Sequence, residues 1–385
     1  MRIVHLMLCS FYIDNANYQE NCLPRQNKFD NHDVTIIAST EYFILGTNKT
    51  NFSLPLKYVN EDNIPVYRLQ YRKILSKKLS TKLRIFIGLT ELLNKLKPEI
   101  IFFHGIASYD LITVANFVKA NPKTKFFVDS HSDTNNSAKN IISKYLLHKL
   151  IYKTFILFSL NKIDRIYYIT IETKLFLNTI YNLKDSNLSY LPLGGFILSE
   201  FERLTIRNRL RKDLQISEDK IVLIHSGKMD SNKRTFEILS AFNKINSNKY
   251  ILLLLGTMEE KVKNLCQPLI IENRNIRNIG WVTGRELQEF LLASDLYIQL
   301  GSQSVTMQNA LCSNCAVAVY PYESHLSLLF DKVFYIKDEN DVSSLLKDIL
   351  VNPLTLEFKR KLSFEFAQSI LDYKVIANAY LQESV

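Results

Sequence analysis

Short apolar runs alternate with helix-length amphipathic stretches along nearly the whole chain, and this alternation constrains the fold more than any other feature. In the first half the runs are Arg2–Cys9, Asp33–Ala38, Ile100–Phe103, Lys125–Val128 and Arg165–Ile169. In the second half they are Lys220–His225, Tyr250–Leu255, Ile276–Ile279, Leu296–Gln299, Ala316–Val319 and Lys332–Ile336. They lack polar alternation, so each reads as a strand buried on both faces, in a parallel sheet covered by helices. Helices are expected near residues 17–29, 78–97, 108–120, 138–161 and 171–182. Strand–helix–strand repetition predicts an α/β, doubly wound fold. A chain of 385 residues holds more than one domain at roughly 150 residues each. The break falls where Pro192-Leu-Gly194-Gly195 ends one series and a charged segment, Glu200 to Asp213, precedes a fresh strand. The expected divisions are a first domain at 1–192, a linker at 193–216 and a second domain at 217–355. The helical stretch 356–385 has no strand after it and would either cross back to brace the first domain or pack on the second. Residues 40–65 read as loops around short strands, and no repeat of solenoid period is present.

The first run ends close to Asp14 and has no A-x-A cleavage site, so it reads as a buried strand and not a signal peptide. No apolar run reaches the ~18 residues of a membrane span. The five cysteines are odd in number and scattered, which argues against a disulfide framework and fits a reducing cytoplasm. Cys312-Ser-Asn-Cys315 stands without a second pair, so it reads as two small buried side chains and not as a zinc site. The formal net charge of +10 points to an anionic partner: a nucleic acid, a membrane surface or a phosphorylated ligand.

Only ten glycines occur, well below the usual ~7%, so each can be asked what it does. Gly46, Gly88 and Gly105 lie in the first half, and seven more lie between 194 and 301. Gly227, Gly256, Gly280, Gly284 and Gly301 follow strands or open helices in the second domain, where open α/β sheets bind ligands. Taken singly, each is an ordinary strand-to-helix turn; five on one domain favour a ligand. Two segments sharpen this. In His225-Ser-Gly227-Lys228-Met-Asp-Ser-Asn-Lys233-Arg234, two lysines meet a helix start, which suits a diphosphate. It is not a Walker A loop. In Gly301-Ser302-Gln303-Ser304-Val-Thr306-Met-Gln308, Ser302 or Ser304 can cap a helix, free N–H groups face the strand ends, and Gln308 could reach a sugar hydroxyl.

These two segments, in this order, resemble the GT-B glycosyltransferases of family 4 type. That family shows G-[KR]-x-x-x-x-K after the first strand of its second domain, matched by Gly227, Lys228 and Lys233. Gln308-Asn-Ala-Leu-Cys-Ser-Asn-Cys-Ala-Val is similar to the second half of its Glu-x7-Glu element, with Gln308 where Glu is usual and Gln303 near the first Glu at a shorter spacing. In the first domain, His104-Gly105 resembles the family's H-[AG] strand end. Asp129-Ser-His131-Ser-Asp133 resembles its T-x-H-D segment, whose His lies close to the donor sugar. Asp164-Arg-Ile-Tyr-Tyr-Ile-Thr-Ile-Glu-Thr and Leu191-Pro-Leu-Gly-Gly are similar to two further family segments. The family's Gly-Gly turn after the first strand is missing, and Tyr12-Ile-Asp14-Asn-Ala-Asn-Tyr18-Gln-Glu20-Asn21 stands in its place.

The resemblance implies two Rossmann-like domains facing across a cleft. It implies a glycosyltransferase that moves a sugar from a UDP- or GDP-linked donor with retention of configuration. No D-x-D tripeptide occurs, so no metal and no cofactor are expected. His131 and Asp129 are the candidate catalytic residues. The donor set is Gly227, Lys228, Lys233, Gly256, Trp281, Val282, Gly301, Ser302, Gln303, Ser304, Thr306 and Gln308; Glu20, Asn21 and His104 are the acceptor set. Charge would build on the leaving diphosphate in an oxocarbenium-like transition state, where cations and N–H groups stabilise it.

Basic residues concentrate in the first domain at Arg72, Lys73, Lys77, Lys78, Lys82 and Arg84, then Lys144, Lys149, Lys153 and Lys162, interleaved with apolar residues. That pattern fits a helix lying on an anionic membrane, and equally a solvated basic face. With lipid-linked acceptors common in the family, the expectation is a peripheral enzyme at the cytoplasmic face of the cell membrane. It would act on a glycan or lipid-linked oligosaccharide in O-antigen- or capsule-type polysaccharide synthesis. A nucleotide-sugar epimerase of the same architecture is the alternative. A basic nucleic-acid-binding protein ranks below it, because no recognised nucleic-acid module is present.

Overall fold

The apolar runs form parallel strands, as their unbroken hydrophobicity requires. The computed structural model describes residues 1–9, 11–43, 50–74, 76–134 and 136–382. Gly46 and the side chains of Lys77 and Lys78 lie outside the described residues. The chain divides into two compact units, Met1–Pro192 with Ile376–Val385, and Leu193–Val375.

In the first unit the strands are β1 (Arg2–Met7), β2 (Asp33–Ser39), β3 (Glu41–Phe43), β4 (Thr50–Phe52), β5 (Leu56–Val59), β6 (Pro65–Leu69), β7 (Ile100–Phe103), β8 (Lys125–Ser130), β9 (Arg165–Tyr168) and β10 (Leu188–Tyr190). The main sheet runs β10-β9-β8-β7-β1-β2-β6-β5, while β3 and β4 form a separate antiparallel pair. Every pairing in the main sheet is parallel except that of β5 with β6. Ile100, Ile101, Phe102 and Phe103 are at most 1% exposed, so β7 is enclosed on both faces. Burying one such side chain contributes on the order of 1.5–3 kcal/mol. The helix expected over 138–161 is present in three pieces: a π-helix over Ile142–Tyr152, an α-helix over Lys153–Ser159 and a 3-10 turn over Leu160–Lys162. An eleven-residue π-helix is long for a form that mostly occurs as single-turn bulges.

In the second unit the strands are β11 (Ile221–Ser226), β12 (Tyr250–Leu255), β13 (Ile276–Gly280), β14 (Leu296–Gln299), β15 (Ala316–Val319) and β16 (Phe334–Tyr335), ordered β13-β12-β11-β14-β15-β16. All pairings are parallel. The order reverses between β11 and β14, and an open sheet leaves its ligand crevice at that point.

Residues 200–213, expected within a linker, are instead a helix of the second unit (Glu200–Asp213). Ser199 and Glu202 form a reciprocal capping box at its start. Arg207 and Arg211 hold Asp295 at 2.6 and 2.5 Å, which fixes the helix to the strand side of that unit. The C-terminal stretch is two helices, Leu354–Ile370 and Tyr373–Gln382. From Ile376 onward the second of these belongs to the first unit, where the Tyr380 ring packs edge-on against Phe102 at 5.0 Å. Cys312 and Cys315 are free and at most 1% exposed.

Candidate active site

In the second unit four strand ends converge through backbone contacts. Asp230 accepts from the amides of Asn232 and Lys233 at 3.0 and 3.1 Å, folding Ser231–Lys233 into a 3-10 turn. The Lys233 side chain then lies back over the end of β11: a Cβ on Gly227 would sit 3.4 Å from its Cε and Nζ. Lys233 is 7% exposed. Burial disfavours its charge and, against the opposing pull of Asp230, brings its pKa down to about 8. No ion pair to Lys233 forms among the described residues, so its cation is available to an anion at the β11–β14 reversal.

Two glycines make this packing possible. Gly256, after β12, has φ +122°, and a Cβ there would lie 2.0 Å from the Gly227 carbonyl oxygen. Gly301, after β14, would place one 1.8 Å from the carbonyl oxygen of Asn232. Any larger residue must push backbone from backbone. The Gly256 amide donates to the Gly280 carbonyl at 2.6 Å, tying in the end of β13. His225 bridges the same region, with Nδ1 2.8 Å from the Ile298 carbonyl oxygen and Nε2 3.0 Å from Thr235 Oγ1.

The remaining donor candidates are placed less uniformly. Lys228 pairs with Glu259 at 3.1 Å, both about half exposed. Trp281 is 53% exposed and Val282 packs on the core. The expectation of free N–H groups over 301–304 needs correction at Ser302, whose amide donates to the Asn232 carbonyl at 3.0 Å. Gln303 donates to Ser324 Oγ at 2.8 Å, and the Ser304 hydroxyl donates to Thr306 Oγ1 at 3.2 Å. Gln308 also departs from expectation. With its amide nitrogen in the donating orientation, it lies 3.2 Å from the carbonyls of Ser304 and Val305, folded onto its own helix.

In the first unit the ends of β7 and β8 bring Asp129, His104 and His131 together. The Asp129 carboxylate is fully buried. Its Oδ1 accepts the Gly105 amide at 2.7 Å, and its Oδ2 lies 2.8 Å from His104 Nδ1 and 3.4 Å from His131 Nε2. Burial alone would raise its pKa, but the two imidazoles outweigh burial and hold it well below the usual carboxylate range. Burial likewise works against a charged His131, yet Asp129, with Glu20 adding to it, pushes that pKa up to about 9. His131 is therefore a cation near neutral pH. Its side chain is 32% exposed while Nε2 is buried, so the rest of the ring is the part open to a ligand.

His104, expected to meet an acceptor, is instead 0% exposed, with both ring nitrogens engaged. Asn21 is also buried, its amide donating to the Ile13 carbonyl at 2.9 Å. Glu20 remains partly exposed. The segment that replaces the Gly-Gly turn is pinned by Arg68, which donates to Tyr12 O at 3.3 Å and Tyr58 Oη at 2.9 Å and pairs with Asp14 at 3.4 Å. Sequence reasoning missed His5, Asn27 and Tyr380, which line up behind His104. Among the described residues no three His, Cys, Asp or Glu side chains converge as a metal site requires.

Residues 206–354 match the family described as glycosyl transferases group 1. Comparison with curated protein sequences finds no match. Among solved structures, the chain is similar to sucrose-phosphate synthase from Thermosynechococcus elongatus, with a TM-score of 0.67 and 13% identity over 99% of this chain and 98% of that one. It is similar to an Anabaena HepE structure in complex with UDP and glucose, with a TM-score of 0.64 and 12% identity over 99% and 98%. An E. coli structure described as trehalose-6-phosphate bound with UDP-2-fluoro glucose matches at a TM-score of 0.67 and 12% identity, over 100% and 99%. Two parallel α/β units with these neighbours define the GT-B fold. The chain is a glycosyltransferase of that fold, and its second unit carries the group 1 domain.

Proposed function

We propose that this glycosyltransferase binds a UDP- or GDP-linked sugar on its second unit and transfers the sugar, with retention and without a metal, to a glycan or lipid-linked oligosaccharide in cell-surface polysaccharide synthesis. The observation that carries the donor reading is the buried Lys233 ammonium lying over the Gly227 backbone at the β11–β14 reversal. A diphosphate there would meet a cation in a low-dielectric setting, where stabilisation of developing charge on a leaving group is strongest. The UDP and UDP-sugar complexes among the structural neighbours support the same ligand class. The test is a thermal-shift panel of nucleotides and nucleotide sugars against the intact protein. A bound donor should raise Tm; no shift from any member overturns the reading. Nucleoside diphosphate should be released only when acceptor is present, whereas an epimerase would convert donor alone.

The Lys233 pKa adds a pH prediction. Donor affinity should hold steady below about pH 8 and fall as the pH rises through that value, as the ammonium loses its proton. Isothermal titration across that range checks it. For the unliganded protein the sign is opposite. The unfolded chain keeps the lysine proton to higher pH than the folded chain, so this group's burial cost is lifted between about 8 and the ordinary lysine value of 10.5, and stability rises there.

The acceptor side of the proposal draws on the Ile142–Ser159 helical stretch. Ile142, Tyr145, Leu146, Leu150, Leu157 and Phe158 are all exposed on it. From residue 134 to 163 the chain holds Lys139, Lys144, Lys149, Lys153 and Lys162 and no carboxylate. Apolar side chains flanked by unopposed lysines suit the surface of an anionic bilayer, each lysine contributing about 1 kcal/mol. No helix among the described residues is long and apolar enough to cross a membrane. The protein should co-sediment with phosphatidylglycerol vesicles and not with phosphatidylcholine vesicles, and Leu146→Glu with Leu150→Glu should abolish that binding. Equal binding to both vesicle types removes the electrostatic argument.

A further inference from the structure

Two stretches of the first unit hold no carboxylate, residues 63–90 and 134–163, and the fold packs them together. The first carries the helix Lys77–Leu83, which ends at Arg84; the second carries the π-helix Ile142–Tyr152. The Tyr152 hydroxyl donates to the Lys82 carbonyl at 2.6 Å. His148, one turn earlier, feels the charges of both Lys82 and Arg84.

Arg84 is fixed from three sides. Its amide donates to the Ser80 carbonyl at 3.0 Å, its carbonyl accepts the Ser108 hydroxyl at 2.8 Å, and its Nη1 donates to the Ala107 carbonyl at 2.8 Å. A guanidinium holds five N–H donors in a rigid fork. Ala107 takes one and the Cys9 sulfur another, so the anchor aims the group and leaves the remainder for a ligand. The residue is half-buried and keeps contact with solvent.

No ion pair to Arg84 forms among the described residues. The groups facing it are Cys9, Tyr71, Tyr152, Tyr181 and His148. Burial pushes the Cys9 thiol up to about 11 and raises all three phenols. Burial also brings His148 down to about 4, with Arg84 and Lys82 adding to the drop. All five are therefore uncharged near neutral pH. The carboxylates on neighbouring elements are held elsewhere. Glu41 accepts the Tyr71 hydroxyl at 3.0 Å, Asp110 accepts the Phe86 amide at 2.9 Å and the Thr113 hydroxyl at 2.7 Å, and Asp129 faces two histidines. Arginine does not shed its proton in proteins, and a charge drawn out of water without a counter-charge is costly. The site calls for an anion.

Its place in the fold says which one. Cys9 follows β1 and Ala107 follows β7, so the guanidinium lies at the carboxyl ends of parallel strands, where open sheets bind ligands. Cys9 also packs on Gly105, where an added Cβ would meet the cysteine Cβ at 2.4 Å, and the Gly105 amide is the one Asp129 accepts. The cation therefore neighbours the Asp129–His131 pair.

We propose that Arg84, with Lys82 beside it, binds a phosphate group carried by the sugar acceptor. This rests on the reading that the first unit receives the acceptor, and it names the acceptor's chemical class. Two sources share that chemistry, an isoprenyl diphosphate carrier and a phosphorylated sugar; both offer paired oxygens to a guanidinium fork. The carrier lipid would also suit the apolar side chains exposed on the π-helix, among them Tyr145, Leu146 and Leu150.

The test is isothermal titration of the full chain carrying Lys233→Met, so that a diphosphate does not report on the donor site. Farnesyl diphosphate and glucose 6-phosphate are the probes. At least one should bind, and adding Arg84→Gln should weaken it by roughly 10- to 100-fold. Arg84→Lys keeps the charge without the fork and should fall between the two. Lys82→Gln, at an exposed position, should weaken binding by roughly two- to fivefold, and with Arg84→Lys it carries the test if Arg84→Gln does not fold. Tighter binding of farnesyl diphosphate assigns the phosphate to a lipid carrier, and tighter binding of glucose 6-phosphate to a soluble sugar. No binding of either probe, or binding that the Arg84 and Lys82 variants leave unchanged, overturns the proposal. With Lys233 intact, Arg84→Gln should leave nucleotide-sugar affinity within about twofold, as a separate site requires. A chain that binds no nucleotide sugar, yet loses farnesyl diphosphate with Arg84→Gln, would overturn the donor reading and keep the phosphate site.

Discussion

Lys233→Met should lower nucleotide-sugar affinity by roughly 10- to 100-fold and leave the fold intact. Methionine fills a similar volume, so no cavity opens beneath Gly227. What is lost is one charged contact to phosphate, a hydrogen-bond class with a typical net contribution of about 1.5–3 kcal/mol. Removing a buried ammonium also removes its desolvation cost, so Tm of the unliganded variant should stay level or rise. Affinity falling while stability holds is the signature to seek by titration calorimetry and thermal melts. The decline of affinity above about pH 8 should vanish in the variant, since the titrating group is gone. Wild-type affinity in Lys233→Met would detach the diphosphate from the β11–β14 reversal.

Gly256→Ala should be among the most damaging single changes in the second unit. Its φ of +122° strains any other residue, at about 1–3 kcal/mol. The added Cβ would also meet the Gly227 carbonyl oxygen at 2.0 Å. The oxygen is backbone at the end of the adjacent strand and the Cβ is fixed rigidly to its own Cα, so no side chain can swing aside, and overpacking of this kind costs about another 1–3 kcal/mol. For a domain of this size the sum corresponds to a Tm loss of roughly 4–24 °C. Gly280→Ala is the control. Its φ is +83° but no atom lies within 4 Å of the added Cβ, so strain acts alone and the loss should be clearly smaller. Equal losses at the two positions would mean that the strand ends do not pack as closely as described.

Fold class was legible in the sequence because it depends on local pattern. Runs such as Ile100–Phe103 and Tyr250–Leu255 carry no polar alternation, and only a doubly covered sheet suits them. Strand order was not legible, since which strands become neighbours depends on crossovers that leave no periodic trace. The helix Glu200–Asp213 reads as linker in the sequence because it is strongly charged. Its Ser199-Glu-Phe-Glu202 start is a capping-box signature that outweighs composition. Lys233 could be named from its spacing, but not its burial, which depends on Asp230 capping the turn. In the first unit, Asp129 and His131 are two residues apart and visible as a pair. His5 sits in the middle of a hydrophobic strand and reads as core. Tyr380 reaches Asn27 across a sequence separation of 353 residues, and no local signal joins them. Ser302 and Gln308 lie on and just after the turn that follows β14, yet their polar groups turn to neighbouring backbone, a choice made by the packing of each turn.

The discontinuity of the first unit has a consequence for synthesis. Its sheet is complete once residue 190 has been made, but Tyr380, which caps the buried amide of Asn27 and packs on Phe102, belongs to the same unit. At about 5–20 residues per second, the ribosome needs roughly 10–40 s to pass from one to the other. Through that interval the nascent first unit holds an open seam over Phe102, Phe127 and the His5–Asn27 pair, while the whole second unit is still being translated. The first unit is thus the earlier to begin folding and the later to finish, and a chain stopped before Tyr380 would carry that seam permanently exposed to water and to chaperones.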